Sequence, residues 1–334
     1  MKKILVIRFS SIGDVVLASP VLRHLHHAEP DAEIHFLIKK KFVDTVFSNP
    51  NIHTLHSFDR DPLEILEELK NENFDLVIDL QKNIRSRRIR RALGKPSRKL
   101  NKFNIRKWKM VRFKCRKLRV PHITDRYLET AGFSESQNDG KGLDFYISEK
   151  DNNTQTNFPA HFSDGYIGIV IGAAHATKCF PADKIISLCK YLDYPVILLG
   201  GPTDREVGEK ISKACGELVF NACGIFTLGQ SAALIKNAKV VISPDTGLMH
   251  ISAALHKPLI SIWGNTIPEF GMYPYYPKGM ENRFVIEEVK GLPCRPCSKI
   301  GYAACPKQHF RCMNLLDEAR IASLALEMVT KDKD

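Results

Sequence analysis

The chain has 334 residues, 44% of them hydrophobic and 26% charged, with a formal net charge of +12. Such a composition is that of a soluble globular protein, and the length exceeds one typical core, so two domains of roughly 150 residues are expected. The apolar runs are strand-sized, which argues against a membrane span; Met1-Lys2-Lys3 and the four apolar residues before Arg8 are too short for a signal peptide; and the nine cysteines are expected to stay reduced in a cytoplasmic protein.

Strand-like and helix-like runs alternate along the chain. In the first half, strands are expected at Ile4–Ile7, Ile34–Ile38, Thr54–Phe58 and Phe74–Leu80. A helix that is interrupted near Pro20 follows the first strand, and the clearest helical pattern is Pro62–Asn71. In the second half, strands at Tyr166–Ile171, Pro195–Leu199, Leu218–Phe220, Lys239–Ile242 and Pro258–Trp263 are separated by helical stretches at Ala182–Leu192, Asp204–Cys215, Leu228–Asn237 and Leu248–His256. Continuous apolar strands between helices indicate parallel sheets covered on both faces. The polar run Asp151–Asn157 divides the halves, which sets expected boundaries at 1–150, a linker 151–164, a second domain 165–313, and a final helix (about Leu315–Val329) with a charged tail in 314–334. The expectation is an α/β protein of two doubly wound domains facing across a cleft, with ligands at the carboxyl ends of the strands.

The charge is concentrated. Lys82–Arg119 carries eighteen Lys plus Arg and no Asp or Glu, so the total of +12 without those eighteen positive charges leaves a remainder of −6. One surface is therefore expected to meet one polyanionic partner. Within it, Ile105, Trp108, Val111, Cys115 and Leu118 recur at helical spacing, which predicts a basic amphipathic helix from Ile105 to Arg119 ended by Pro121. Nucleic acid and an anionic membrane surface both fit that helix. No recognised nucleic-acid motif accompanies it.

Several turns offer ligand chemistry, each beside a plainer role. In Arg8-Phe9-Ser10-Ser11-Ile12-Gly13-Asp14, Asp14 is either a first-turn acid favoured by the helix dipole or a general base. Gly172-Ala173-Ala174-His175-Ala176-Thr177-Lys178 lacks the glycine and hydroxyl that flank the lysine of a Walker motif; Lys178 is either an exposed loop lysine or a point charge on a phosphate. No G-x-G-x-x-G follows the first strand, which disfavours a dinucleotide cofactor. Gly200-Gly201-Pro202-Thr203-Asp204 permits close backbone approach and an acid for ribose hydroxyls, or caps a helix. In Ser243-Pro244-Asp245-Thr246-Gly247-Leu248-Met249-His250, the strand-to-helix turn either binds an anion at the helix N-terminus or merely caps it, and His250 lies one turn further on. Cys294-Arg295-Pro296-Cys297 with Cys305 and Cys312 is a candidate structural zinc knuckle or a set of packed thiols; its second pair is too widely spaced for the common zinc ribbon.

In this order, these motifs resemble glycosyltransferase family nine, the bacterial heptosyltransferases of lipopolysaccharide core assembly. Arg8–Val16 is similar to the family's opening motif, Phe74–Gln81 with Arg85-Ser86 to its mid-domain signature, Ser243–Ala254 to its donor-site motif, and the Cys294–Cys312 cluster recurs in many members. The resemblance implies a GT-B fold and an inverting transfer without cofactor or catalytic metal. It implies Asp14 as the base and Lys178 as the cation that steadies the leaving diphosphate. The donor, ADP-heptose, would be held by Gly13, Gly172, Thr177, Gly201, Asp204, Asp245, Thr246, Gly247 and His250. The acceptor, an anionic glycolipid (Kdo–lipid A or a growing inner core), would meet Arg8, Ser11, Lys82, Arg85 and Arg88. Lys82–Arg119 would then rest on the inner face of the cytoplasmic membrane, and no nucleic-acid partner is expected. The family also includes transferases for other sugars, for capsule or O-antigen. Ala173-Ala174 stand where some members carry hydroxyl residues.

Overall fold

In a computed structural model, residues 1–153 and 158–331 are described. Thr154–Asn157 of the expected linker and Asp332–Asp334 of the tail lie outside the described residues. Two units emerge: residues 1–103 with 121–146, and 104–120 with 147–334. The stretch 104–120, which the sequence places ahead of the linker, therefore groups with the second unit.

The first unit carries β1 (Lys3–Ile7), β2 (Glu33–Lys39), β3 (Thr54–Phe58), β4 (Leu76–Asp79) and β5 (Ser97–Lys99), all parallel in the order β3-β2-β1-β4-β5. Its helices are α1 (Ile12–Val16), α2 (Ser19–Ala28), α3 (Leu66–Asn71) and α4 (Ile84–Leu93), with a later helix, Ile123–Ala131. Pro20 does divide the first helical stretch: it sits in the first turn of α2, where its missing N–H costs nothing. The expected helix Pro62–Asn71 is a 3-10 turn over Pro62–Ile65 that runs into α3. Leu5, Ile7, Phe9, Leu37, Phe58, Phe74, Val77 and Ile89 form one packed cluster.

The helix predicted over Ile105–Arg119 is shorter. It is α5 (Asn104–Phe113), and Lys114 leaves it with φ +54°. Beyond it, Arg116 forks onto Glu269 (2.8 and 2.9 Å) and reaches Glu288 (2.6 Å), Lys114 donates to the Pro296 carbonyl, and Val120 N–H donates to the Glu269 carbonyl. Two carboxylates distant in sequence thus draw the chain out of the helix that its spacing favoured. Within α5 only Met110 is buried, while Ile105 and Trp108 of the expected amphipathic stripe are exposed.

The later helices are α6 (Ile123–Ala131), α7 (Glu149–Asn152), α8 (Ala182–Leu192), α9 (Arg205–Cys215), α10 (Leu228–Asn237), α11 (Gly247–Ala254), α12 (Arg311–Asn314) and α13 (Glu318–Lys331). In the second unit β6 (Ile167–Val170), β7 (Val196–Leu199), β8 (Val219–Asn221), β9 (Val240–Pro244), β10 (Leu259–Trp263) and β11 (Phe284–Glu288) are parallel in the order β11-β10-β9-β6-β7-β8. The final helix, α13, packs Ile321, Ala322, Ala325 and Val329 into the same core as Ile185, Leu188 and Ile242. Two strands carry no sequence signal. β5 is wholly exposed and basic, and β11 is half-buried and ends in Glu287-Glu288. Among the described residues no helix is long and apolar enough to cross a membrane.

Each sheet reverses its strand order once, at β1/β4 in the first unit and at β6/β9 in the second. Such switch points open a crevice at the carboxyl ends of the strands. The central chemical groups below stem from these four strand ends, joined by residues that follow β7 and β10.

Candidate active site

In the first unit, β1 and β4 end side by side, Ile7 opposite Asp79. Asp79 is fully buried. Its carboxylate accepts the Gln81 and Lys82 N–H groups, the Ser86 hydroxyl and Arg90 Nε, which shapes the turn into α4. Gln81 in turn accepts the Phe9 N–H, locking the two loops together. The β1 loop then presents Asp14 in the first turn of α1. Arg8, 7% exposed, contacts Asp14 at 2.7 Å, donates to the Leu80 carbonyl and lies over the Tyr127 ring. The Ser11 hydroxyl and N–H also point at Asp14 (3.2 and 3.4 Å). Burial pushes the Asp14 carboxyl up, but the Arg8 guanidinium and Ser11 overcome it and hold the group below the ordinary carboxylate range. Asp14 is thus held ionised and oriented from two sides.

Arg8, expected to touch the acceptor, is instead the buried partner that positions Asp14. Arg88 is turned outward onto Asp61 (2.8 Å), and Arg85 lies over the Phe9 ring. Lys82 is exposed, held by its backbone rather than its ammonium, and Ser11 is exposed beside Asp14. Gly13 is buried in α1. One cation escaped the sequence reading: Lys102, half-buried, whose pKa is lowered by burial and then by the charge of Arg8. It was hidden in a run of identical charges.

In the second unit, the β6 and β9 loops bring Lys178 to Asp245. Lys178 Nζ lies 2.6 Å from Asp245 Oδ2 and 3.3 Å from its carbonyl oxygen. Thr266, after β10, donates to the same carboxylate at 2.9 Å. Thr246 occupies the N-cap of α11, yet its side chain makes no capping bond and contacts Ser243 Oγ at 3.3 Å instead. Asp245 is committed to Lys178 and Thr266. The plain capping role is therefore taken by neither residue, and the helix starts at Gly247 without a side-chain cap. His250 is buried on the same helix. Beside Thr266, Asn265 is 2% exposed, and neither carboxamide atom has a protein hydrogen-bond partner.

The β7 loop completes this rim. Asp204 accepts the Gly201 N–H at 2.8 Å, and a Cβ at Gly172 would lie 2.0 Å from the same carboxylate oxygen. A side chain at Gly172 would thus have to displace the Asp204 carboxylate. Thr177, expected at the donor, is buried: its hydroxyl donates to the Tyr302 carbonyl and accepts the Tyr302 N–H. A Cβ on Gly301 would sit 2.5 Å from His175 Cβ, and one on Gly264 would sit 2.9 Å from the Thr177 carbonyl. The cysteine-rich loop therefore buttresses the strand-end loop that carries Lys178, which gives His175 a packing role.

That loop is organised by Arg295 more than by its sulfurs. Arg295, 3% exposed, donates to the Val289, Trp263 and Thr266 carbonyls and pairs with Glu288 at 3.0 Å. Cys312 is packed in the hydrophobic core, and burial pushes the Cys297 and Cys312 thiols up to about 11. Among the described residues, the one group of three or more metal-type ligand atoms lying within 4.8 Å of one another is His35, His56 and Glu72. The four cysteines expected to hold zinc do not form such a group.

Two doubly wound parallel sheets, with an oriented carboxylate at one switch point and a lysine–aspartate pair under an uncapped helix start at the other, define a GT-B glycosyltransferase. The family model of glycosyltransferase family 9 (heptosyltransferase) matches residues 63–300, well over half of the chain, and the chain belongs to that family. It is similar to lipopolysaccharide heptosyltransferase 1 of Campylobacter coli (25% identity, 79% of this chain and 84% of the relative). It is also similar to the lipopolysaccharide core heptosyltransferase OpsX of Haemophilus influenzae (26%, 78% and 79%). Among solved structures, the fold matches a glycosyltransferase family 9 protein of Veillonella parvula with a TM-score of 0.77 at 23% identity, over 99% of this chain and 98% of that one. It matches E. coli ADP-heptose lipopolysaccharide heptosyltransferase II with a TM-score of 0.74 at 20% identity, over the full length of both.

Proposed function

We propose that this heptosyltransferase-family enzyme moves heptose from ADP-heptose onto Kdo–lipid A or the growing inner core, with inversion at the anomeric carbon. The observation that carries the reading is the Lys178–Asp245–Thr266 cluster beneath the open N-terminus of α11. As the sugar–phosphate bond breaks, negative charge grows on the departing ADP. A lysine ammonium and preorganised N–H groups lower that barrier, each such donor contributing roughly 10²–10³-fold. Asp245 holds Lys178 in place and Thr266 holds Asp245. Asn265 offers one donor and one acceptor unmet by protein, which suits a polar ligand at the same strand end.

On the acceptor side, the attacking hydroxyl oxygen forms the new bond to the anomeric carbon, and its proton passes to Asp14. Ionised and aimed by Arg8 and Ser11, Asp14 fits that duty. The step calls on no metal: the cation is Lys178. Gly247 and His250 lie along the donor side in this reading, with Gly201 and Asp204 on the neighbouring rim. Basic α4 and α5, the latter with exposed Ile105, Trp108 and Phe113, favour an anionic membrane surface where the glycolipid resides. The enzyme would thus work as a peripheral protein of the inner membrane.

Thermal-shift measurements against a panel of nucleotide sugars test the donor. Stabilisation by ADP-sugars alone supports ADP-heptose; stabilisation by a UDP- or GDP-sugar instead overturns it and leaves a transferase for another sugar.

A further inference from the structure

Toward the amino ends of the first sheet, away from the strand ends that carry Asp14, β2 and β3 bring two histidines together. His35 is 1% and His56 2% exposed. His35 Nδ1 lies 2.9 Å from His56 Nε2. The other ring nitrogen of each histidine faces a carboxylate: His56 Nδ1 is 2.5 Å from Glu68 Oε1, and His35 Nε2 is 3.4 Å from Glu33 Oε2. Each ring thus has one nitrogen beside a carboxylate and the other beside its partner ring, an arrangement that can turn two nitrogen lone pairs toward one cation.

A third ligand is at hand: an oxygen of Glu72, which follows the last turn of α3, and one ring nitrogen of each histidine all lie within 4.8 Å of one another. Imidazoles whose outer nitrogens are fixed by carboxylates are the usual support of metal-bound histidines. Two nitrogens and one carboxylate suit zinc, nickel, copper or ferrous ions; magnesium and calcium prefer oxygen alone. Lys3, paired with Glu72 at 2.7 Å and Glu33 at 3.3 Å, closes the rim.

We propose that His35, His56 and Glu72 form a binding site for a divalent transition metal of the zinc class, with Glu33 and Glu68 orienting the two imidazoles. The ion fastens edge strand β3 and the end of α3 to β2. It stands apart from the transfer chemistry and takes no part in it.

The test uses the full chain, stripped with a chelator and titrated with Co²⁺ and then Zn²⁺. The expected result is one equivalent of Co²⁺ with a ligand-field spectrum lacking a thiolate charge-transfer band, displaced by Zn²⁺, and a higher Tm on Zn²⁺ addition. His56→Gln and Glu72→Gln should each weaken binding roughly tenfold or more. Glu72 is half-buried, so metal-free Glu72→Gln should melt with the metal-free parent, which separates lost binding from lost folding. Failure to bind Co²⁺, binding unchanged in both variants, or a spectrum dominated by thiolate transitions, which would place the ion among the cysteines, overturns the proposal.

Discussion

Replacing Asp14 by Asn tests the acceptor half of the mechanism. The amide keeps the shape and an oxygen for Arg8, but no longer takes a proton. Arg8 and Asp14 meet at 2.7 Å with side chains 8% and 24% exposed. A hydrogen bond to a charged group contributes about 1.5–3 kcal/mol and a neutral one about 0.5–1.5, so the folding cost should be about 1–2 kcal/mol. The protein stays folded. Turnover should fall by roughly 10²–10⁴-fold, the reach of a general base, while stabilisation by the donor, held in the second unit, is unchanged. Turnover with ADP-heptose and a lipid acceptor, beside donor thermal shifts, measures both. Near-full turnover would refute the base role, and a parallel loss of donor binding would show that Asp14 serves the donor instead. A companion variant sharpens the point. Arg8 is what holds the Asp14 carboxyl below its ordinary range against burial. In Arg8→Gln burial prevails, the carboxyl titrates higher, and the acid limb of kcat/KM should move to higher pH; an unmoved limb would mean that another group sets it.

Lys178→Met should lower the single-turnover rate roughly 10²–10³-fold, and the uncompensated, nearly buried Asp245 should cost stability that Lys178→Met/Asp245→Asn partly restores, as read by urea denaturation. Gly172→Ala drives a methyl into the Asp204 carboxylate that holds the Gly201 N–H; a loss of about 1–3 kcal/mol and weaker donor binding are expected, and an unchanged melting curve would refute the packing role. Arg23 reaches both Asp139 and Asp144, and it holds Asp139 at about 2 despite burial. Since that pKa lies below the unfolded value, the stabilisation is complete above the ordinary Asp range and is lost as pH falls toward 2. At most about 2.5 kcal/mol is at stake, less after solvent screening, so Asp139→Asn should flatten acid unfolding in that window.

How much of this was legible before folding differs from residue to residue. The alternation of strands and helices, the doubly wound class and the turns holding Asp14, Lys178 and Asp245 are local properties, written as apolar runs and as acids or lysines next to strand ends. The helix of the basic stretch was misjudged at its far end because nothing near Lys114 foretells Glu269 and Glu288, more than 150 positions on. Arg8 looked like an acceptor contact and Thr177 a donor contact, since exposure cannot be read from a side chain's polarity; burial turned one toward Asp14 and the other toward Tyr302. Thr266 and Arg295 gave no signal for their roles because those roles consist of partners supplied by other segments.

The sequence by itself determined the periodicities, and with them the strands, most helices and the motif turns, because those depend on neighbours within a few residues. Only the tertiary structure decided which charges pair, which glycines are crowded and which histidines meet. Those outcomes depend on chain segments brought together by sheet order, and the energy of a buried ion pair or a close contact exists only once that order is in place.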